Sequence, residues 1–522
     1  MQHSPRKLKE TMFDLPGLPL DIFLLIVSYL SPTECVLYRR VSRSWNAALT
    51  NHEASRHLMR QNFPRVREMR TVVGAPDRST YTHIFSKVAR RYAYLRSARP
   101  REVERLEIHS DPNGCTVFRG FEPWRRWLRW NGNEAVFQHG DPSWSLDDGL
   151  LVYMEEESGH YVAYDLETGR RFPVPFEGAG KIVRRIRLAE RTLVIEWCER
   201  EPYDGRLLHD EVVIHRHFAT AFDVRRPTES GLADASGPCS WEIRFRCEWH
   251  IPSLPLDSEG RAFSAHTATH YAGYFWEHAG PNANLRQPLE RLAVWEIKDV
   301  QPYRPSEDPE CVREPDTTQP RARVIQVFNL DFLGIRQGSR PLLREILIDE
   351  ANVYVHEEDH RWLVGPHSSA SPPRHHYVRS IGIPFSGVFP RWVDECCIDD
   401  DIHLNFCPRA GSAARLGDSN GCDAAWPGRA PCWRHQDFPF LTVSEVVDAT
   451  AGVRFAARQW FRMEAFSSFV LPRTELGDVD DTNEARFADN VWKRLLGKGN
   501  IAGDERWLVG EDQFYNITIL RF

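Results

Sequence analysis

Three stretches of the 522-residue chain combine residue types able to do chemistry. The run His356-Glu357-Glu358-Asp359-His360 fits H-E-x-x-H. On a helix that spacing puts both histidines on one face to hold zinc and aims the glutamate at a metal-bound water. Here the preceding Asn352-Val353-Tyr354-Val355 reads as a strand, and Glu357-Glu358-Asp359 then reads as its turn. The longer zinc-protease pattern also fails, because Leu363 and Pro366 stand where Gly and His are required. A second set, Cys396, Cys397, His403 and Cys407, then Cys432 and His435, holds metal-capable groups without C-x-x-C spacing, so these read as ordinary thiols and imidazoles. His266 and His270 share a face if their segment is a strand, and packing accounts for them. The third stretch, Trp124-Arg125-Arg126-Trp127-Leu128-Arg129-Trp130, interleaves aromatics and guanidiniums as single-strand nucleic-acid surfaces do. Its Trp124, Trp127 and Leu128 also share helical spacing, which suits packing at a domain junction. Phosphate-cradling glycine loops are missing from the sequence. The expectation is a protein that is not an enzyme, with no metal and no cofactor. A metal-dependent hydrolase at His356 and His360 is the remote alternative.

Charge is distributed unevenly. Residues 39–107 carry 16 Lys and Arg against 6 Asp and Glu, although the whole chain is at −7. The long remainder is therefore acidic, which argues against general nucleic-acid binding there. Eleven cysteines in no regular framework suit reduced thiols, hence a cytoplasmic or nuclear protein. The first residues lack the apolar run of a signal peptide, and Ile22–Val27 is far too short to cross a membrane. No membrane and no nucleic-acid partner are expected.

Residues 15–50 must position something other than a catalytic group. Pro19 suits a first helical turn, Asp21 follows where the helix dipole favours a negative charge, and Ile22, Leu25, Ile26, Tyr29 and Leu30 recur at helical spacing. Ser31, Pro32 and Glu34 form a capping-box arrangement that starts a second helix. Ser42 can start a third, containing Trp45 and Leu49. About 35 residues bury too little apolar surface to be stable alone. Several large apolar side chains at close spacing point to a partner that covers them.

The order Leu18-Pro19, Asp21-Ile22, Ile26, Ser28-Tyr29-Leu30, Ser31-Pro32, then Arg39-Arg40-Val41-Ser42-Arg43-Ser44-Trp45 resembles the F-box motif. Asp21 stands where Glu is usual in that family, and Ser42 where Cys is frequent. The resemblance covers well under a tenth of the chain. It implies binding to the Skp adaptor and, through it, to a cullin and RING ubiquitin ligase. Carried over by position, it implies that Leu18, Pro19, Ile22, Ile26 and Leu30 face the adaptor. It also implies that Val41, Ser42 and Trp45 complete that surface or lock the helices. An F-box protein acting with Skp outside ubiquitin ligases is the alternative.

Residues 51–102 read as a helical, basic neck. Ile84, Phe85, Val88, Tyr92 and Leu95 fall near one face of Tyr81–Leu95, with Arg90, Arg91 and Arg96 largely elsewhere on a solvated helix. From Val103 onward, short apolar runs recur between Asp, Gly and Pro, for example Leu150–Met154, Thr192–Trp197, Tyr271–Trp276 and Ile517–Phe522. Segments 225–240, 299–322, 366–377 and 408–432 read as exposed loops. The expected architecture is therefore mainly β with an N-terminal α module. After a disordered 1–14 come a three-helix F-box at 15–50 and the neck. A divergent β-propeller at 103–522 then binds an unknown protein substrate. Its last run is expected to complete a sheet with Val103–Ile108, since an uncovered apolar edge would aggregate.

Overall fold

A computed structural model describes residues 15–71, 80–108, 118, 141–155, 158–202, 214–226, 241–255, 261–277, 288–307, 321–338, 341–362, 374–386, 392–396, 406–407, 430–431, 440–448, 451, 453–460, 465–470, 484–487, 494–495, 501–512, 514 and 516–522. Trp124–Trp130, His403, Cys432 and His435 lie outside them.

Among the described residues, six α-helices open the chain: α1 (Leu20–Val27), α2 (Pro32–Tyr38), α3 (Arg43–Leu49), α4 (His52–Asn62), α5 (Arg67–Thr71) and α6 (Thr80–Arg96). Their starts follow local chemistry. Pro19 sits at the N-cap of α1, just outside the helix rather than in its first turn. The Ser31 hydroxyl accepts from the Glu34 amide at 3.2 Å, and the Glu34 carboxylate accepts from the Ser31 amide at 2.8 Å, completing the expected capping box. Ser42 caps α3 by accepting from the Trp45 amide at 3.2 Å.

The helices do not form a separate body. Phe23, Val27, Leu58, Met59, Phe63, Phe85, Val88, Tyr92 and Leu95 share one core with Val453, Leu495, Leu508, Leu520 and Phe522 from the far end of the chain. The neck is thus packed against the β region rather than solvated. Arg91, expected off the apolar face, is buried there. Its guanidinium pairs with Glu68 and donates to Glu505 at 2.8 Å. Glu505 is itself fully buried and also accepts from the Tyr92 hydroxyl at 3.0 Å and the Arg67 amide at 3.2 Å. A buried carboxylate with three donors from the neck clamps helices to sheet, and the arginine is tolerated because its charge is paired.

Beyond the neck, four antiparallel strands in chain order make each of five sheets, spanning residues 144–173, 181–255, 261–327, 343–396 and 440–486. A short pair, Phe406–Cys407 with Ala430–Pro431, stands between the last two. The sixth four-stranded sheet joins Ile501–Gly503, Trp507–Glu511 and Asn516–Arg521 to Glu102–Glu107. Val103 pairs with Leu520 and Arg105 with Thr518, so the two ends of the β region meet as expected. Arg521 donates to Glu104 at 2.7 Å and to the Leu166 carbonyl, tying this sheet to the next one. Edge strands of neighbouring sheets touch: Trp144–Asp147 meets both Ile501–Gly503 and Lys181–Ala189, and Arg261–His266 meets Leu343–Ile348.

Several strands carry no simple apolar alternation. Lys181–Ala189 reads KIVRRIRLA, yet Arg184 and Arg185 are both buried around a register shift. Arg185 donates to Asp141 at 2.8 Å, to Glu196 at 3.2 Å and to Ser264 at 2.8 Å, which offsets the cost of burying its charge. Ile214–Arg225 forms one long strand. Strand Arg374–Pro384 begins inside the segment expected to be a loop at 366–377. His266 ends one strand and His270 begins the next, so they do not share a strand face.

His266 is buried and its ring contacts the carbonyls of Thr267 and Arg187 at 3.3 and 3.2 Å. Burial, helped by the charges of Arg187 and Arg246, pushes its pKa down to about 4. The unfolded chain binds a proton at this histidine below the usual value near 6.5, whereas the native chain does not until about pH 4. Stability is therefore complete above that range and lost as pH falls through it. Between pH 7 and 4.5 the wild type should lose about 2 kcal/mol more than His266→Asn, read as the shift in urea unfolding. Equal losses would show that His266 titrates alike in both states.

Candidate docking surface

Helix α1 divides its apolar residues between two sides. Phe23 and Val27 point into the shared core. Ile22 (42% exposed), Leu25 (58%) and, beyond the helix end, Tyr29 (78%) follow one another at helical spacing on the outside. Leu20, Leu37 and Val41 are also exposed. Six of the large exposed apolar side chains among the described residues therefore fall within residues 20–41. Helix α3 packs against the Leu15–Gly17 turn that leads into α1, and α2 packs against α3, so these residues belong to one small unit. Large exposed apolar side chains gathered in one short stretch of chain are a mark of an interaction site.

The residues singled out in the sequence fall into two groups. Pro19, Ile22, Val41 and Ser42 are exposed, while Leu18 and Ile26 are half-buried. Leu30 and Trp45 lean on the core, and Trp45 meets Tyr38 edge to face at 5.7 Å between ring centroids. Leu20, Leu25, Tyr29 and Leu37 join the exposed set without having been assigned to it. Leu25 and Tyr29 carried a signal, since Leu25 lies three residues after Ile22 and Tyr29 four residues after Leu25. Leu20 and Leu37 carried none.

The family model for F-box-like domains matches residues 15–61. Residues 15–61 are an F-box-like domain. Its span runs past residue 50 through most of α4, whose Gln61 donates to the Ser28 carbonyl at the end of α1 at 3.1 Å. F-box domains typically bind the Skp adaptor, and the exposed apolar residues of this one lie on the outer face of α1 and around Leu37 and Val41. No curated protein matches the chain. The N-terminal domain of Nup159, a crystal structure, aligns with 80% of this chain and 94% of its own at 9% identity and a TM-score of 0.24, a likeness that carries no argument.

The other chemistry-bearing pattern, expected to pass from a strand into a turn, takes a different course. His356-Glu357-Glu358-Asp359-His360 lies within one strand, Asn352–Trp362, neither on a helix nor at a turn. Adjacent residues of a strand face opposite sides, so Glu357 is directed away from His356. Glu357 is buried and accepts from Arg379 at 2.6 Å and Gln337 at 2.7 Å, while His356 meets the Ser380 hydroxyl at 3.2 Å. Among the described residues no group of three His, Cys, Asp or Glu is placed to hold a metal ion. Metal analysis should find less than one zinc per chain in both wild type and His356→Ala. Stoichiometric zinc lost in the variant would restore the hydrolase alternative.

Proposed function

We propose that this protein is the substrate-recognition subunit of a Skp–cullin–F-box ubiquitin ligase, working without catalysis of its own. The exposed row Ile22, Leu25 and Tyr29 on a helix whose other side is core carries this reading. Such a row is covered when an amphipathic helix enters a partner's groove. The β region would be a closed, divergent β-propeller that holds the target protein. Support comes from meandering four-stranded sheets, from edge strands that touch between neighbours, and from a sheet built of both ends of the region. Holding the target beside a charged conjugating enzyme raises its effective concentration and makes ubiquitin transfer nearly intramolecular. The buried clamp at Glu505 supports a fixed span between docking face and β region. An intracellular setting is consistent with Cys35, Cys198 and Cys247, which are buried and free. Among the described residues no helix is long and apolar enough to cross a membrane.

Affinity capture of the tagged full chain from cells tests this reading. Skp, cullin and RING subunits should be recovered together, and all three should disappear with a docking-face variant. Recovery of Skp without cullin would support the alternative of a Skp-bound scaffold outside ubiquitin ligases.

A further inference from the structure

The apolar docking face has a charged border that its apolar centre does not explain. Residues 15–49 hold Arg39, Arg40 and Arg43 against only Asp21 and Glu34, and Glu34 is committed to the capping box with Ser31. Arg40 and Arg43 are exposed on either side of exposed Val41 in the turn between α2 and α3. Arg60 is exposed on α4, beside the Gln61 that holds the end of α1 just before Tyr29. Arg90 is exposed on α6, one turn beyond the Ser86 hydroxyl that accepts from Arg39. Among the described residues none of these four exposed arginines forms an ion pair, whereas Arg56 on the same α4 has Glu53 at 3.9 Å.

Four unpaired cations against the exposed carboxylate of Asp21 make the charge around the apolar patch predominantly positive. Charges at the rim of an interface act mainly on the rate of encounter and its salt dependence, because they remain solvated in the complex. We propose that these arginines steer an acidic surface of the Skp-type adaptor onto the docking face, an inference that rests on the docking reading above. The apolar row then holds the complex, and the arginines set how fast it forms. An acidic protein surface fits better than nucleic acid, since the centre of the patch is aliphatic and offers only Tyr29 for a base to stack on.

Stopped-flow association of the full chain with purified Skp adaptor, in about 50 mM and about 500 mM salt, tests this. For Arg40→Gln, Arg43→Gln, Arg60→Gln and Arg90→Gln combined, association at low salt should slow by about tenfold or more. Dissociation should change by less than about threefold, and the two proteins should converge at high salt. Equal association rates at low salt, with capture intact, would overturn the steering role and leave the docking reading standing. Failure of wild type to bind the adaptor at either salt would remove both. If a single-stranded oligonucleotide binds wild type and displaces the adaptor, the arginines serve nucleic acid and the steering role is again overturned. Should the fourfold variant melt early, Arg40→Gln with Arg43→Gln alone gives the same comparison with a smaller change in rate.

Discussion

Ile22→Asp should abolish capture of the Skp adaptor while leaving the β region folded. Ile22 lies on the outer side of α1, opposite Phe23 and Val27, which belong to the core. An aspartate there remains solvated in the free protein and costs it little. In the complex the same carboxylate would be buried in an apolar contact without a partner, which costs several kcal/mol. Loss of the isoleucine contact adds the cost of a central anchor, roughly 2 kcal/mol or more. Together these weaken binding by at least about 100-fold, beyond detection in a pull-down. The position matters, because Leu30 and Trp45 lean on the core and their replacement would confuse lost binding with lost folding. Leu18→Ala with Pro19→Ala should weaken capture through the entry to the same helix. Pull-down and circular dichroism on the same preparation check both outcomes. Undiminished capture by Ile22→Asp would remove α1 from the interface.

Deleting Ile517–Phe522 should prevent the protein from accumulating in folded form. Asn516–Arg521 lies inside its sheet, paired with Glu102–Glu107 on one side and Trp507–Glu511 on the other. Ile517, Ile519, Leu520 and Phe522 are all buried. Large buried side chains cost roughly 2–5 kcal/mol each when removed. Four of them approach or exceed the roughly 5–15 kcal/mol that holds a typical domain together. Two ladders and the Arg521 contacts with Glu104 and Leu166 disappear as well. Leu520 and Phe522 also belong to the core shared with the helices, so the docking unit loses its support along with the sheet. Soluble yield and thermal melting of the truncated chain provide the measurement. A truncated protein that melts with the wild type would show the terminus to be peripheral and would end the closed-propeller proposal.

Much of the N-terminal unit was readable because its signals are local. A capping box needs only Ser31 and Glu34 three residues apart, and Ser42 caps α3 through its own neighbour. The pairing of Asn516–Arg521 with Glu102–Glu107 was also readable, since an alternating apolar strand needs a covered edge. Which side of α1 is buried could not be read from spacing alone, because Phe23 and Val27 continue the apolar character around the helix and only packing chooses between the faces.

Buried charge was the main source of error. Arg91 reads as a solvent residue until Glu68 and Glu505, the latter 414 positions away along the chain, surround it. Arg185 disguised a core strand for the same reason, as Asp141 comes from outside the sheets and Ser264 from another sheet. The H-E-x-x-H run shows the converse. Its five residue types were plain in the sequence, but a strand directs Glu357 away from His356, and that backbone state was set by pairing with Leu343–Ile348 and Arg374–Pro384. Residues 15–61 thus carried their own family signature and helix boundaries in their order. The exposed row on α1, the clamp on Glu505 and the strand state of the histidine motif were decided by tertiary structure, because each depends on partners brought together only by folding.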